Sequence, residues 1–278
     1  MFHHSPIRLI ALDLDGTALS PEGTITSFTY KAIRRALEQG IQVVICTGRN
    51  LPELQPIYDA LPEVRYYAGA NGGILWDRQT VGFLYENPLS FALQQKILHR
   101  TQGIDSMLEL FTKEHIYCSL DSLKHLSRYV PSFLFPIIGR TRTPVEDIRA
   151  FILGRQKNAL KINQFFPSEQ ERQKAAAGLA DLELDCTSSI GCNLECNTLC
   201  ANKGDALEHL AEYLHIPRQQ VMAIGDGNND LSMLRYAGFS VAMENGLEEV
   251  KKESQAITCS NREDGAAQAI VRYALEED

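Results

Sequence analysis

The 278-residue chain has no long hydrophobic run, no low-complexity tract and no excess of basic charge, and each absence removes a class of function. No stretch approaches the roughly 18–20 uninterrupted apolar residues that cross a bilayer, so no membrane role is expected. Acidic residues outnumber basic ones, 35 to 27, for a formal net charge of -8. A general nucleic-acid binder would carry a basic stripe instead. A phosphorylated substrate stays compatible, because a few local cations and a metal ion can serve an anion on an acidic protein. The N-terminal segment shows no secretory pattern, since the apolar run at residues 7–14 is short and contains Arg8 and Asp13. The cysteines number seven, an odd count, and fall in segments that read as helices and strands. That usage suits a reducing compartment, so a cytoplasmic location is expected.

Paired CxxC spacing is also missing. Cys192, Cys196 and Cys200 are evenly spaced, with Cys118 and Cys186 elsewhere, and the pattern matches neither zinc sites nor iron–sulfur runs. Packing as small hydrophobes is the expected role, with residues 192–196 on a strand returning to the larger domain. His3 and His4 stand at the N-terminus, and the other histidines form no ligand-spaced pair. Ser188-Ser189 has no clear base partner, which removes a serine-hydrolase reading. The single tryptophan, Trp76, sits in a predicted hairpin over residues 73–85 and reads as core or hinge packing.

What is present is an alternation of strand-like and helix-like segments. Residues 8–13 (RLIALD) and 41–46 (IQVVIC) are near-continuous apolar runs of the kind buried on both faces of a parallel sheet. Helical spacing over 27–39 stops at Gly40, a helix is predicted over 52–61, and a third strand over 65–68. The rhythm returns with a helix at 203–214, a strand at 220–224, a helix at 231–237, a strand at 239–242 and a closing helix at 263–275. Between these halves the texture changes: residues 159–165 read as a two-sided strand, and 89–101, 144–153 and 168–179 as amphipathic helices. The expectation is an α/β fold, a doubly wound parallel-sheet (Rossmann-like) core formed by residues 1–81 and 187–278, with an inserted α/β cap domain over 82–186. The chain crossings near Gly82 and Cys186 would form a hinge.

Chemistry concentrates where the predicted strands end. Asp13-Leu14-Asp15-Gly16-Thr17 follows the first strand, at the edge where open α/β sheets bind ligands. Such a turn can simply cap a strand. Two carboxylates that close, however, cannot both stay ionised without a cation, most naturally Mg2+. One could attack phosphorus as Asp does in enzymes that form an aspartyl-phosphate, and the other could protonate the leaving oxygen. Thr47-Gly48-Arg49 ends the second strand and offers a hydroxyl and N–H groups to a phosphoryl oxygen. Lys203 opens a helix, where its ammonium and the first-turn N–H groups favour an anion. Gly225-Asp226-Gly227-Asn228-Asn229-Asp230 supplies carboxylates and amides on a glycine-loosened loop.

Together these four motifs resemble those of the haloacid dehalogenase-like hydrolase superfamily. The insert, Ala70-Asn71-Gly72-Gly73 and Asn193-Leu194-Glu195 resemble its Cof-type sugar-phosphatase branch, which carries a type IIB cap. The resemblance implies that Asp13 is the nucleophile and Asp15 the general acid/base, with Thr47 and Lys203 holding the phosphoryl group. It implies Mg2+ on the Asp13 side chain, the Asp15 main-chain carbonyl and the Asp226 side chain. Asp230 would orient that site from behind, and Gly48, Arg49, Asn71, Gly72 and Asn229 would help bind phosphate. The expected function is Mg2+-dependent hydrolysis of a small phosphorylated metabolite, with no nucleic-acid or membrane partner. The alternatives are a phosphomutase and a non-catalytic phospho-metabolite-binding or redox-sensing protein. Lys161, Asn163, Arg140 and Arg142 are polar candidates for substrate selection in the insert, where a solvated face is the simpler expectation.

Overall fold

The computed structural model describes residues 6–188 and 190–275, so His3, His4 and Ser189 lie outside the described residues. The chain divides into two compact units. One comprises Met1–Gly48, Gln55–Glu86 and Asn202–Asp278; the other comprises Arg49–Leu54 and Asn87–Ala201.

The first unit begins with β1 (Leu9–Leu12), every residue of which is buried, as the unbroken apolar run requires. Helix α1 (Ser27–Glu38) follows, with Thr26 Oγ1 accepting from the Thr29 amide as its cap. Then come β2 (Gln42–Cys46), α2 (Gln55–Ala60), β3 (Tyr66–Gly69), β4 (Ile74–Asp77) and β5 (Gly82–Glu86). In the second unit lie α3 (Phe91–Arg100), β6 (Met107–Phe111), β7 (Ile116–Ser119), α4 (Leu120–Lys124), α5 (Phe135–Thr141), β8 (Arg142–Val145) and α6 (Ile148–Arg155). They are followed there by β9 (Lys161–Phe165), α7 (Glu169–Leu179), β10 (Leu184–Thr187) and β11 (Asn193–Thr198). The chain returns to the first unit with α8 (Lys203–Tyr213), β12 (Val221–Gly225), α9 (Leu231–Tyr236), β13 (Phe239–Met243), α10 (Glu248–Glu253), β14 (Ala256–Thr258) and α11 (Gly265–Ala269).

The first sheet has the order β14-β13-β12-β1-β2-β3-β4-β5. It is parallel from β14 to β3, and the hairpin β4–β5 closes the edge antiparallel. Leu9, Ala11, Val44 and Cys46 pack with Leu207 and Leu210 of α8, Met233 and Leu234 of α9 and Val250 of α10. Alternation sends Ile10, Leu12, Val43 and Ile45 to the opposite face, where α1 pairs with α11. The sheet is therefore doubly wound, and β1 sits beside β12 at its centre. Trp76 packs edge-on to Tyr58, 5.3 Å between centroids, within an aromatic cluster that includes Tyr67. No helix among the described residues is long and apolar enough to cross a membrane.

Three boundaries differ from the expectation. β5 pairs with β4 and so completes the first sheet, while β10 and β11 pair in the second, so the crossings expected near Gly82 and Cys186 fall at 86/87 and 201/202, and the short segment Arg49–Leu54 adds two more at 48/49 and 54/55. Residues 192–196 therefore do not return to the larger domain: Asn193–Thr198 is hydrogen-bonded between β10 and β9. The predicted helix over 144–153 starts later, because Pro144 is in β8 and Asp147 caps α6 by accepting from the Arg149 and Ala150 amides.

The second sheet, order β10-β11-β9-β6-β7-β8, is antiparallel except for β7–β8. One face is apolar, with Leu108, Leu110, Ile162 and Leu194 under α3, α6 and α7. The other carries a cross-strand row of Glu109, Asn163 and Glu195. Arg142 donates to Glu109 Oε1 at 2.6 Å and to Glu53 Oε1 at 2.5 Å, and its side chain is only 5% exposed. Asn163 donates to Glu109, Asn193 to Asn163, and Lys161 to Glu195. Lys161, Asn163 and Arg142 are thus buried in a paired network, correcting the solvated-face expectation. Arg140 donates to the Pro136 carbonyl as an exposed i,i+4 contact.

Two outcomes follow from this packing. A β-carbon on Gly204 would lie 2.6 Å from the Ser232 carbonyl oxygen, where α8 meets α9. Gly204→Ala should therefore lose about 1–3 kcal/mol in denaturant unfolding, although helix propensity alone would make alanine stabilising. Arg142→Met strands two buried carboxylates and should cost about 3–5 kcal/mol, whereas replacing Arg142, Glu53 and Glu109 together with apolar residues should recover most of that loss.

Candidate active site

The candidate site stands at the carboxyl ends of β1, β2 and β12 in the first unit. β1 ends at Leu12, and the chain then makes one wide turn over Leu14–Ala18, closed by Ala18 N donating to Asp13 O and Leu19 N to Leu14 O. Asp15 therefore lies in that turn, past the end of the strand. Gly16 adopts φ +86°, and a β-carbon there would fall 2.3 Å from Asp226 Oδ2. That turn lets the β1 loop lie against Asp226, whose Oδ1 accepts from Thr17 Oγ1 at 2.9 Å. Asn245 Nδ2 holds the same turn from outside by donating to the Gly16 carbonyl.

Lys203 is fully buried, not a solvated surface charge. Its Nζ donates to Asp13 Oδ1 at 2.6 Å and to Asp230 Oδ1 at 2.5 Å. Asp230 Oδ2 accepts from the Asp226 and Gly227 amides, both at 2.9 Å, so this side chain shapes the loop that carries Asp226. The N-terminal amides of α8 at Gly204 and Asp205 are taken by the Asn202 cap, and Ser232 Oγ also accepts from Gly204. What Lys203 could offer an anion is thus its ammonium, since the Gly204 and Asp205 amides are already engaged.

Thr47 is buried at the end of β2, with its amide donating to Ala68 O and its carbonyl accepting from Asn71 N. Asn229 Nδ2 donates to Asn71 Oδ1 at 3.2 Å. Gly72, at φ +93°, lies against the Asn202 carbonyl, which a β-carbon would approach to 2.1 Å. Asp13, Asp15, Thr47, Gly48, Asn71, Gly72, Lys203, Asp226, Asn229 and Asp230 all belong to the first unit, and Arg49 to the second. Sequence reasoning missed Asn245 and Ser232, because a lone amide or hydroxyl far along the chain gives no local signal.

Carboxylate oxygens of Asp13, Asp226 and Asp230 lie within 4.8 Å of one another, and Lys203 supplies one positive charge among them. The imbalance shows in their acidities. Burial, reinforced by Asp230, holds the Asp13 carboxyl well above the usual range against the pull of Lys203. Burial and then Asp230 push Asp226 up to about 6, with the exposed Asp15 adding repulsion. Burial would lower the Lys203 ammonium, but Asp13 and Asp230 outweigh it and hold it raised. Excess negative charge on hard oxygen ligands fits a divalent cation such as Mg2+. The contacts above occupy Asp13 Oδ1 and Asp226 Oδ1, so Oδ2 of each is placed to serve as a ligand, whereas both Asp230 oxygens are engaged.

A family model described as haloacid dehalogenase-like hydrolase matches residues 10–270. The chain is similar to a 5-amino-6-(5-phospho-D-ribitylamino)uracil phosphatase of Bacillus subtilis, 32% identical over 97% of this chain and 96% of that one. It is also similar to a second B. subtilis protein named simply as a phosphatase, 30% identical over 94% and 98%. Among solved structures, a haloacid dehalogenase-like hydrolase from B. subtilis superposes with a TM-score of 0.86 at 26% identity, covering 96% of this chain and all of that one.

The acidity of Asp226 sets a testable pH dependence. The folded state holds this proton more tightly than the unfolded chain, so between pH 3.8 and about 6 it binds more protons, and stability falls as pH rises through that window. In chelator, Asp226→Asn should equal wild type near pH 4 and exceed it by roughly 2–3 kcal/mol at pH 7, at about 1.36 kcal/mol per pKa unit. Added Mg2+ should raise the melting temperature of wild type and leave that of the variant nearly unchanged. Parallel melting curves across pH would show that the carboxylate carries no such penalty.

Proposed function

The chain belongs to the haloacid dehalogenase-like hydrolases, and on that premise we propose that it is a Mg2+-dependent phosphatase of small phosphorylated metabolites that works through an aspartyl-phosphate on Asp13. It is a phosphoric monoester hydrolase, the activity for which its relatives are named. The observation that carries the mechanism is the buried Lys203 ammonium bonded to Asp13, which orients one carboxylate at the end of β1 while the second carboxylate on that turn, Asp15, stays exposed.

Each step then has a residue. The Asp13 carboxylate attacks phosphorus, the ester P–O bond breaks, and Asp15 gives its proton to the leaving oxygen. Asp15 next accepts a proton from water as that water attacks the phosphorus of the aspartyl-phosphate, which releases inorganic phosphate and restores Asp13. Lys203 and Thr47 hold the phosphoryl oxygens, with Gly48, Arg49, Asn71, Gly72 and Asn229 completing the phosphate contacts. Asp230 fixes Lys203 and the Asp226 loop. When bound at Asp13, Asp15 and Asp226, Mg2+ offsets the negative charge of the phosphoryl group and orients it. The ribityl phosphate in the name of the B. subtilis relative suggests that phosphorylated polyols and sugars are the first esters to try.

Inorganic phosphate release from a panel of such esters, with and without Mg2+, tests the proposal. Release should require the metal, vanish in Asp13→Asn, and fall about 10²–10⁴-fold in Asp15→Asn. Undiminished release from Asp13→Asn would mean a different nucleophile. Transfer of phosphate to an added acceptor with no free phosphate would indicate a mutase.

A further inference from the structure

β10 is the edge strand of the second sheet and runs antiparallel to β11, with Cys186 directly opposite Cys196. Their sulfurs lie 3.5 Å apart. Cys186 is exposed, whereas Cys196 is fully buried in the cluster that contains Leu194, Ala175 and Leu179. The strand ladder fixes this proximity, because residues paired across antiparallel strands are neighbours whatever their side chains. A disulfide needs the sulfurs at about 2.05 Å, a further approach of about 1.5 Å that side-chain rotation supplies.

We propose that Cys186 and Cys196 are a redox modification site that closes to a reversible disulfide, with Cys186 the thiol a hydroperoxide meets and Cys196 the resolving thiol. The pairing divides the labour between the two sulfurs. The hydrogen-bonded contact with Cys196 is the main cause that holds the Cys186 thiol below its ordinary value, against burial. The same contact, followed by burial, pushes Cys196 well up. An accessible, more acidic thiol beside a resolving partner is the arrangement that peroxide-responsive cysteines use.

The chemistry balances with the peroxide as the sole oxidant. The Cys186 thiolate attacks one peroxide oxygen, the O–O bond breaks, and hydroxide leaves to take up a proton as water, giving a sulfenic acid. Cys196 sulfur then attacks the Cys186 sulfur, and its proton leaves with the displaced hydroxide as a second water. Two thiols lose two electrons in all, and the peroxide gains them. A cellular dithiol returns both thiols by exchange, as suits a reducing compartment where disulfides are transient. Closure would pin the edge strand β10 to β11, whose Glu195 bonds Lys161 on the other face of the sheet.

The full-length protein, exposed to hydrogen peroxide and then alkylated, provides the test. Thiol titration in denaturant should fall from seven to five per chain, peptide mapping should link Cys186 to Cys196, and dithiothreitol should restore seven. Cys186→Ser should start at six thiols and stay there, whereas Cys196→Ser should start at six and fall to five, with Cys186 oxidised to a sulfur acid and no cross-link formed. Cys200→Ser should still form the link. If Cys196→Ser fails to fold, the wild-type peptide map alone decides. Sulfonic acid at Cys186 without a cross-link, or a link from Cys186 to Cys192 or Cys200, would overturn the assignment.

Discussion

One ammonium group organises the first unit. Lys203 reaches from the start of α8 between Asp13, at the end of β1, and Asp230, at the far end of the loop after β12. A lysine is tolerated in a fully buried place only when paired and hydrogen-bonded, and removing it would leave two carboxylates uncompensated. The contact continues outward as a circuit. Asp230 accepts from the amides of Asp226 and Gly227, Asp226 accepts from Thr17, and Thr17 lies on the turn that began at Asp13. Segments about two hundred residues apart in sequence are thus fixed to one another by the same side chains to which the proposed function assigns the chemistry.

That circuit closes only because backbone is allowed unusually near side chains. Gly225 faces the Asp230 side chain, where a β-carbon would fall 2.6 Å from its Cβ, and Gly16 faces the Asp226 carboxylate at 2.3 Å. The glycines are therefore read as contact-makers for the carboxylates rather than as loosened loop. Gly204 plays the same part for the two helices, letting α8 come close enough to α9 for Ser232 to bond its amide. Charge placement and close packing are a single constraint here: the Asp226 and Asp230 carboxylates are where they are because the residue facing each lacks a side chain.

The parallel core was legible in the sequence for a physical reason. Strands buried on both faces must be apolar where they are buried, and LIAL, VMAIG and the VVIC that follows half-buried Gln42 are; each is followed by polar residues that have nowhere to go but the sheet's edge. The candidate residues of the first unit followed from those strand ends. The insert was harder, because its sheet is apolar on one face and charged on the other, and alternation of Lys161, Asn163 and Phe165 with Ile162 and Gln164 reads equally well as a solvated edge. Strands of four residues such as β7 and β8 leave too short a pattern to detect, and the assignment of β11 to the second sheet rests on pairing partners that no local segment declares. The Cys186–Cys196 contact was hidden for that reason: spacing along the chain drew attention to Cys192 and Cys200, whereas cross-strand register chose Cys186.

The two buried charge clusters differ in a way that separates support from chemistry. In the second unit Arg142 and Lys161 face Glu53, Glu109 and Glu195, and the amides of Asn163 and Asn193 donate to the carboxylate oxygens as well. The guanidinium fork pairs with Glu109 through two nitrogens, so two cations and two amides serve three carboxylates and the network is one positive charge short. In the first unit three carboxylates share one ammonium, and burial, followed by the charge of Asp230, makes Asp13 and Asp226 hold their protons above the ordinary range. A cluster that only braced the fold would gain stability by losing one of those carboxylates. Keeping all of them leaves a deficit of positive charge at the end of β1, two charges against one in the second unit, and on the proposed function a divalent cation bound there would offset that cost while serving the phosphoryl group.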